Sequence, residues 1–388
     1  MTDLADLLRA PGASIEADDD FDAVNELVRA RGWGDGLPVV PPTEPRVREM
    51  LAYSDRPWNE PIARIAPRYG DATPLRLAAN AVMAGCEPRY FPLLMLAVEA
   101  MCEDPFNLYG IQATTHLCAP LVIVNGPVAR ELAINCGHNA FGPGHRANAT
   151  IGRAIRLALL NIGGATPCIG DMSTFGAPSK YSYLVAENEA ESPWPPLHVE
   201  RGFPEEASTV TVVGAECPHN VNDHESLTAE GILTTIAGTM GITGSNDVYY
   251  AAQPVVVLAP EHARTVAEGG YTKGEAKRFL QRHAHLALGK FSQENIERRL
   301  RVTWKERYAG AGMEAPVFLA QNADDIIIAV IGGAGKHSAY IPTFGATRSV
   351  TRALKRRDGQ YARSVEEFRR SGRGRVGGRP LRRPKRRP

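Results

Sequence analysis

Short apolar runs and helical-period stretches alternate along this chain. Ser208 to Val213 (STVTVV), residues 119 to 127 (APLVIVNGP) and Asp325 to Ile331 (DIIIAVI) read as buried strands, with Pro254 to Leu258 a shorter one. Helices are expected over Phe21 to Ala30 and from a Thr43 cap, with Pro45 in its first turn, to about Leu51. Further helices are expected over Pro74 to Met83, Phe91 to Met101, Val128 to Ile134, Ala147 to Leu160, Ser226 to Ile236 and Glu261 to Val266. Strands alternating with helices predict an α/β fold with mostly parallel sheet or sheets, flanking helices, and two lobes around a cleft. The lobes are expected over residues 21 to 200 and 201 to 368, joined where Pro193, Pro195 and Pro196 punctuate the chain.

Charge refines the ends. Residues 1 to 20 read as a flexible acidic leader with no basic, apolar signal pattern. Residues 369 to 388 hold ten of the 44 Lys and Arg and no acid, and too few apolar residues to bury a core. A disordered Arg-rich tail is expected there, suited at most to a nucleic acid or another acidic partner. Without it the body carries 34 basic against 43 acidic side chains, so the net +1 conceals a body near −9. That body has no basic stripe for nucleic acid. No apolar run of about 18 residues predicts a membrane span. Six scattered cysteines without CxxC spacing are expected as free thiols in a cytoplasmic protein.

The chemistry-bearing residues gather in three strings. GAECPHNVNDHES, residues 214 to 226, follows the strand at 208 to 213, where α/β sheets carry their chemistry. His219, Asp223 and His224 are the expected acid/base residues, and the same three, with Cys217 or Glu216, the expected ligands of a divalent zinc or iron. The bland alternative makes the Asn and Asp residues turn formers, Asp223 a helix cap and the histidines surface residues. The second string, residues 137 to 154, is GHNAFGPGHRANATIGRA. Gly142 and Gly144 permit close backbone approach, and His145, Arg146 and Asn148 add donors at a helix start, so the loop is an expected anion cradle. The third, residues 332 to 345, is GGAGKHSAYIPTFG, where Gly333, Gly335, Lys336 and His337 suggest an anion-binding nest. Either glycine string is equally readable as an ordinary turn. No NAD, FAD or ATP motif is present.

Lesser candidates are the loop holding Asp171, Ser173, Lys180 and Tyr181, with its Ser–Lys pair, and His116 and Cys118, which suit core or cleft. Thr243 to Asn246 reads as a turn able to line a cleft. Glu187, Asn188 and Glu189 are expected on a helix face, and His262, His283 and His285 on solvated helices.

Together DGLPVVPPT (35 to 43), APLVIVNGP, GPGHRANATIGRA (142 to 154), PHNVNDH (218 to 224) and GGAGKHSAYIPTFG resemble uncharacterised bacterial proteins related to the UGSC-motif (seleno)protein family. The likeness spans most of residues 30 to 355. The chain has no UGSC or CGSC run; its nearest string is Thr243-Gly244-Ser245-Asn246. The resemblance implies no reaction and no catalytic residue.

These observations predict a cytoplasmic enzyme that acts on a small anionic metabolite by acid/base or metal-assisted lyase or hydrolase chemistry. A homo-oligomer is compatible with the sequence. The alternatives are a thiol-redox protein using Cys217 or Cys136, and a non-catalytic binding or scaffold subunit.

Overall fold

A computed structural model describes residues 14–18 and 20–369. The expected leader lies largely, and the tail from residue 370 wholly, outside the described residues.

Six of the helices among the described residues flank the sheets: α1 (Pro74–Ala84), α2 (Phe91–Met101), α3 (Arg146–Asn161), α4 (Ala229–Met240), α5 (Pro260–Glu268) and α6 (Lys273–His283). Eight of the strands among the described residues build the two main sheets: β1 (Ala119–Asn125), β2 (Leu184–Ala186), β3 (Thr209–Ala215), β4 (His219–Asn222), β5 (Val255–Leu258), β6 (Ile327–Val330), β7 (His337–Ile341) and β8 (Val350–Ala353). Start signals hold locally: the Thr73 side chain accepts from the Arg76 backbone N–H ahead of α1, and Thr272 and Glu275 form a capping box on α6.

The strands form two four-stranded sheets, ordered β8-β3-β1-β2 and β6-β5-β7-β4. In the first, β1 and β2 are parallel, while β1–β3 and β3–β8 are antiparallel. In the second, only β5 and β6 are parallel. The α/β class is therefore right, and the mostly parallel sheet is corrected to two mixed sheets. The strands that run against their sheets are β3, an apolar run expected as a strand, and β7, from a string that read as a glycine-rich loop.

Period-two alternation explains the layering. Leu121 and Ile123 of β1, Val255 and Val257 of β5, and Ile327 and Ala329 of β6 meet in one buried cluster between the sheets. Their neighbours Val122 and Val124 face α1, α2 and α3. Val256, Leu258, Ile328 and Val330 face α4, α5 and α6. The result is four layers, helices–sheet–sheet–helices. The two sheets share a core between them, and two separate lobes are not shown.

The sheets also join at a corner. β3 runs on past Ala215, which bridges to Thr343, and Glu216 N–H donates to Pro342 C=O at 2.8 Å. The chain then enters β4 of the second sheet. This corner carries Glu216 and Cys217 to one side and residues 219 to 224 to another.

Candidate active-site cleft

The three predicted strings do come together in part. Gly332 N–H donates to Cys136 C=O, and a Cβ on Gly333 would meet the His138 ring at 2.3 Å. Residues 337 to 340 pair with 219 to 222. The anion donors Arg146, Gly335 and Lys336 each have a partner within the chain. Arg146 pairs with Glu87 at 3.1 Å and with the Gly85 carbonyl. Gly335 N–H donates to Glu261 at 2.9 Å, so the nest holds the protein's own carboxylate. Lys336 Nζ donates to the His224 carbonyl. Buried Asn148 donates to the Asn135 and Leu184 carbonyls and accepts from the Asn135 N–H, which is a structural role. His145 and Gly144 are exposed, and Gly142 is there because a Cβ would strike the Asn139 side chain.

The acid/base trio separates as well. His219 is exposed on β4, opposite Tyr340. Asp223 is buried, and its carboxylate accepts the Ser226 N–H at 3.0 Å, the turn-capping role. His224 turns instead to His337, the two Nε2 atoms standing 3.2 Å apart. Among the described residues, no three His, Cys, Asp or Glu side chains gather as a metal-holding group. The set His219, His224 and Asp223, with or without Cys217 or Glu216, is thus not assembled.

His262 corrects another expectation: it is buried, contacting Ser338 Oγ at 2.8 Å and the Asp223 carbonyl at 3.0 Å. Burial holds its pKa below the usual histidine value, so the neutral ring suits this site. Glu187, Asn188 and Glu189 follow β2 rather than lying on a helix. Glu187 is buried, accepting from Asn125 and the Leu197 N–H.

The open cleft lies elsewhere, under the loop of residues 167 to 181. It encloses about 890 Å³. Arg156, Asp171 and Lys180 line its charged part, with Asp35, which is paired with Arg153; Met172, Phe175 and Tyr181 give it an apolar wall, and all three are exposed. Arg156 comes from the inner face of α3 and donates to Asp171 at 2.8 Å; Lys180 donates to both Asp171 oxygens at 2.7 and 2.8 Å. Burial pushes the Asp171 carboxyl up, but Lys180 and Arg156 outweigh it and hold the group below the usual carboxylate range. Two cations on one carboxylate leave a positive excess. Behind them, Gln112 and Ser179 line a narrow space of about 10 Å³, room for one water, and Gln112 Nε2 and Ser179 Oγ lack protein partners.

Leu117 and Cys217 also line the cleft. Each directly follows a member of a close pair: His116 Nε2 and Glu216 Oε1 are 2.6 Å apart, both largely buried. The antiparallel β1–β3 register makes this pair, because Ala119 opposite Ala215 brings residue 116 beside residue 216. The Asn246 amide sits 3.1 Å from His116 Nδ1, and Phe344 stacks on the ring. With the amide donating to Nδ1, Nε2 carries the hydrogen and donates to Glu216. Tyr183 Oη donates to the Glu216 carbonyl and fixes that backbone. Next to Asn246, Asp247 is fully buried and accepts from Tyr340 Oη, Thr343 Oγ1 and the Thr343 N–H. Burial pushes its pKa to about 7 despite those donors.

Sequence reasoning treated His116, Lys180, Asp171 and the 243–246 turn as weak candidates. The available signal was a histidine just before one buried strand and a glutamate just after another.

No helix among the described residues is long and apolar enough to cross a membrane. No family model matches the chain, and no curated protein matches it in sequence.

Proposed function

We propose that this chain is an enzyme that holds a small anionic molecule with an apolar portion in the cleft and moves a proton with the His116–Glu216 pair. The observation that carries the reading is that one cleft is lined by the Arg156–Asp171–Lys180 cluster and by the residues adjoining that pair. A substrate carboxylate or phosphate would share Lys180 and Arg156 with Asp171, gaining charge-assisted hydrogen bonds. Its apolar part would cover Phe175 and Met172, which stand open to solvent. A substrate group displacing the Asn246 amide would meet the Nδ1 lone pair of His116. Glu216 would hold the other ring hydrogen and stabilise the imidazolium formed by proton transfer. Such a base serves elimination, where it takes a C–H proton as the bond to the leaving group breaks, and hydrolysis, where it takes a proton from the attacking water as the leaving group departs, so lyase or hydrolase chemistry is the class proposed. All six cysteines are unpaired, which suits a cytoplasmic setting.

The rival thiol chemistry has one observation behind it: Cys217 and Cys168 both line the cleft. Its Cys136 form has less, because burial pushes that thiol up, away from thiolate.

Thermal melting with millimolar 4-phenylbutyrate or phenyl phosphate tests the cleft. Stabilisation of the wild type, lost in Phe175→Ala and Lys180→Gln, is expected; no stabilisation, or stabilisation kept in both variants, refutes the reading. For any substrate so found, His116→Ala and Glu216→Gln should each lower kcat by at least about 10²-fold. Alkylation of Cys217 that abolishes turnover while both variants stay active would favour the thiol reading.

A further inference from the structure

We propose that His224 and His337 form a two-imidazole site for a borderline divalent cation such as zinc, its other positions filled by water. It stands apart from the cleft and does not depend on the function proposed above.

The two rings meet at hydrogen-bond distance, His224 Nε2–H able to donate to His337 Nε2, and the same approach suits two lone pairs on one ion once the His224 hydrogen sits on its other ring nitrogen. Their Nε2 atoms are 3.2 Å apart, and the ring planes are nearly perpendicular at 82°. Zinc–imidazole bonds are about 2.0–2.1 Å, so two nitrogens on one ion are separated by roughly 3.3 Å in a tetrahedron and roughly 3.0 Å in a cis-octahedral pair. The observed separation lies between these values.

The surroundings prepare both rings. His337 Nδ1 is 3.0 Å from Asn220 Oδ1, an oxygen that can only accept. The ring hydrogen therefore belongs on Nδ1, and Nε2, which faces His224, carries the lone pair, the outer-shell arrangement of metal-bound histidine. His337 is fixed by its place on β7, paired with Asn222 of β4. The backbone at residues 223 and 224 is held from three directions. His262 contacts the Asp223 carbonyl, Lys336 donates to the His224 carbonyl, and the Asp223 carboxylate accepts from Ser226 N–H. Both imidazoles are exposed, so a hydrated ion can reach them and retain water. Asp223, the carboxylate nearest in sequence, is turned inward on its cap and does not contribute.

Two imidazoles suit zinc or nickel rather than magnesium or calcium, which prefer oxygen ligands. With only two protein ligands, the site is open and weaker than a four-ligand structural site.

Calorimetric titration of tag-free, full-length protein with zinc chloride tests the proposal. The wild type should bind one equivalent. His224→Ala and His337→Ala should each weaken that binding by at least about 10-fold, and Asn220→Ala by about 10-fold through loss of ring orientation. His219→Ala should bind like the wild type. Both imidazoles are exposed, so the melting temperatures of the variants should match the wild type and show that they fold. X-ray absorption of the zinc-loaded protein should give two imidazole nitrogens and light oxygen ligands. No saturable binding by the wild type, or binding unchanged in both His224→Ala and His337→Ala, overturns the site.

Discussion

Removing the Asp171 carboxylate should destabilise the protein by more than an ordinary surface ion pair would. Asp171 and Lys180 have side chains 5% and 10% exposed, and Arg156 is 11% exposed. Each contact is a short, charge-assisted hydrogen bond of 2.7–2.8 Å. At an effective dielectric constant of about 20, one such pair contributes on the order of 4 kcal/mol of attraction, most of it offset by desolvation. Asp171→Ala leaves two buried cations facing each other with no counter-charge, and breaking a buried pair in this way costs about 3–5 kcal/mol. An unfolding entropy of ~2.1 cal/mol/K per residue gives roughly 0.8 kcal/mol/K for 388 residues. The melting temperature should therefore fall by about 4–6 °C. Because Lys180 and Arg156 hold the folded carboxyl below its ordinary value, this stabilisation is fully present above the unfolded value of about 3.9 and is lost only as pH falls through the lower folded value. Differential scanning calorimetry at pH 7 measures the loss. The combined variant Asp171→Leu, Lys180→Met, Arg156→Met removes every charge and should recover to within about 1 kcal/mol of the wild type. A drop below about 1 °C for Asp171→Ala, or a combined variant as unstable as the single one, would refute the buried-ion account of the cleft floor.

Two further outcomes are expected. Burial raises the Asp247 carboxyl to about 7 from 3.8, so the folded state keeps a proton that the unfolded chain has released; the stability this contributes is complete below about pH 4 and lost as pH rises to about 7. Denaturant titrations across that range should show Asp247→Asn with a slope against pH shallower by up to about 4 kcal/mol in total, and equal slopes would contradict it. Gly126 has φ +85°, and a Cβ there would lie 2.3 Å from the Ala207 carbonyl oxygen. Gly126→Ala should thus cost about 2–4 kcal/mol in a melting experiment, and an unchanged transition would show that the turn can shift.

Local pattern determined much of this molecule. The β-branched runs at 119 to 125 and 209 to 213 and the string IIIAVI are strands because no other local structure buries so many branched residues at once. The helices at Phe21–Ala30 and Phe91–Met101 have the ends that the periodicity and the flanking residues predict. Sheet sense was not legible, because it depends on which strands pair and in which register, and β4 and β7 carry His219, Asn220, Asn222 and His337 in place of apolar residues. A parallel β1–β3 pair would have put residues 116 and 216 at opposite ends of the sheet. The antiparallel pair puts their side chains in hydrogen-bond contact. Likewise, only the β4–β7 register brings His224 to His337. The partners of the anion donors were not legible for the converse reason: Arg146, Gly335 and Lys336 have the right chemistry, and tertiary contacts supply each with an acceptor from the chain itself. Residue type states what a side chain can bind, and only the packed fold decides whether the partner comes from outside or from within.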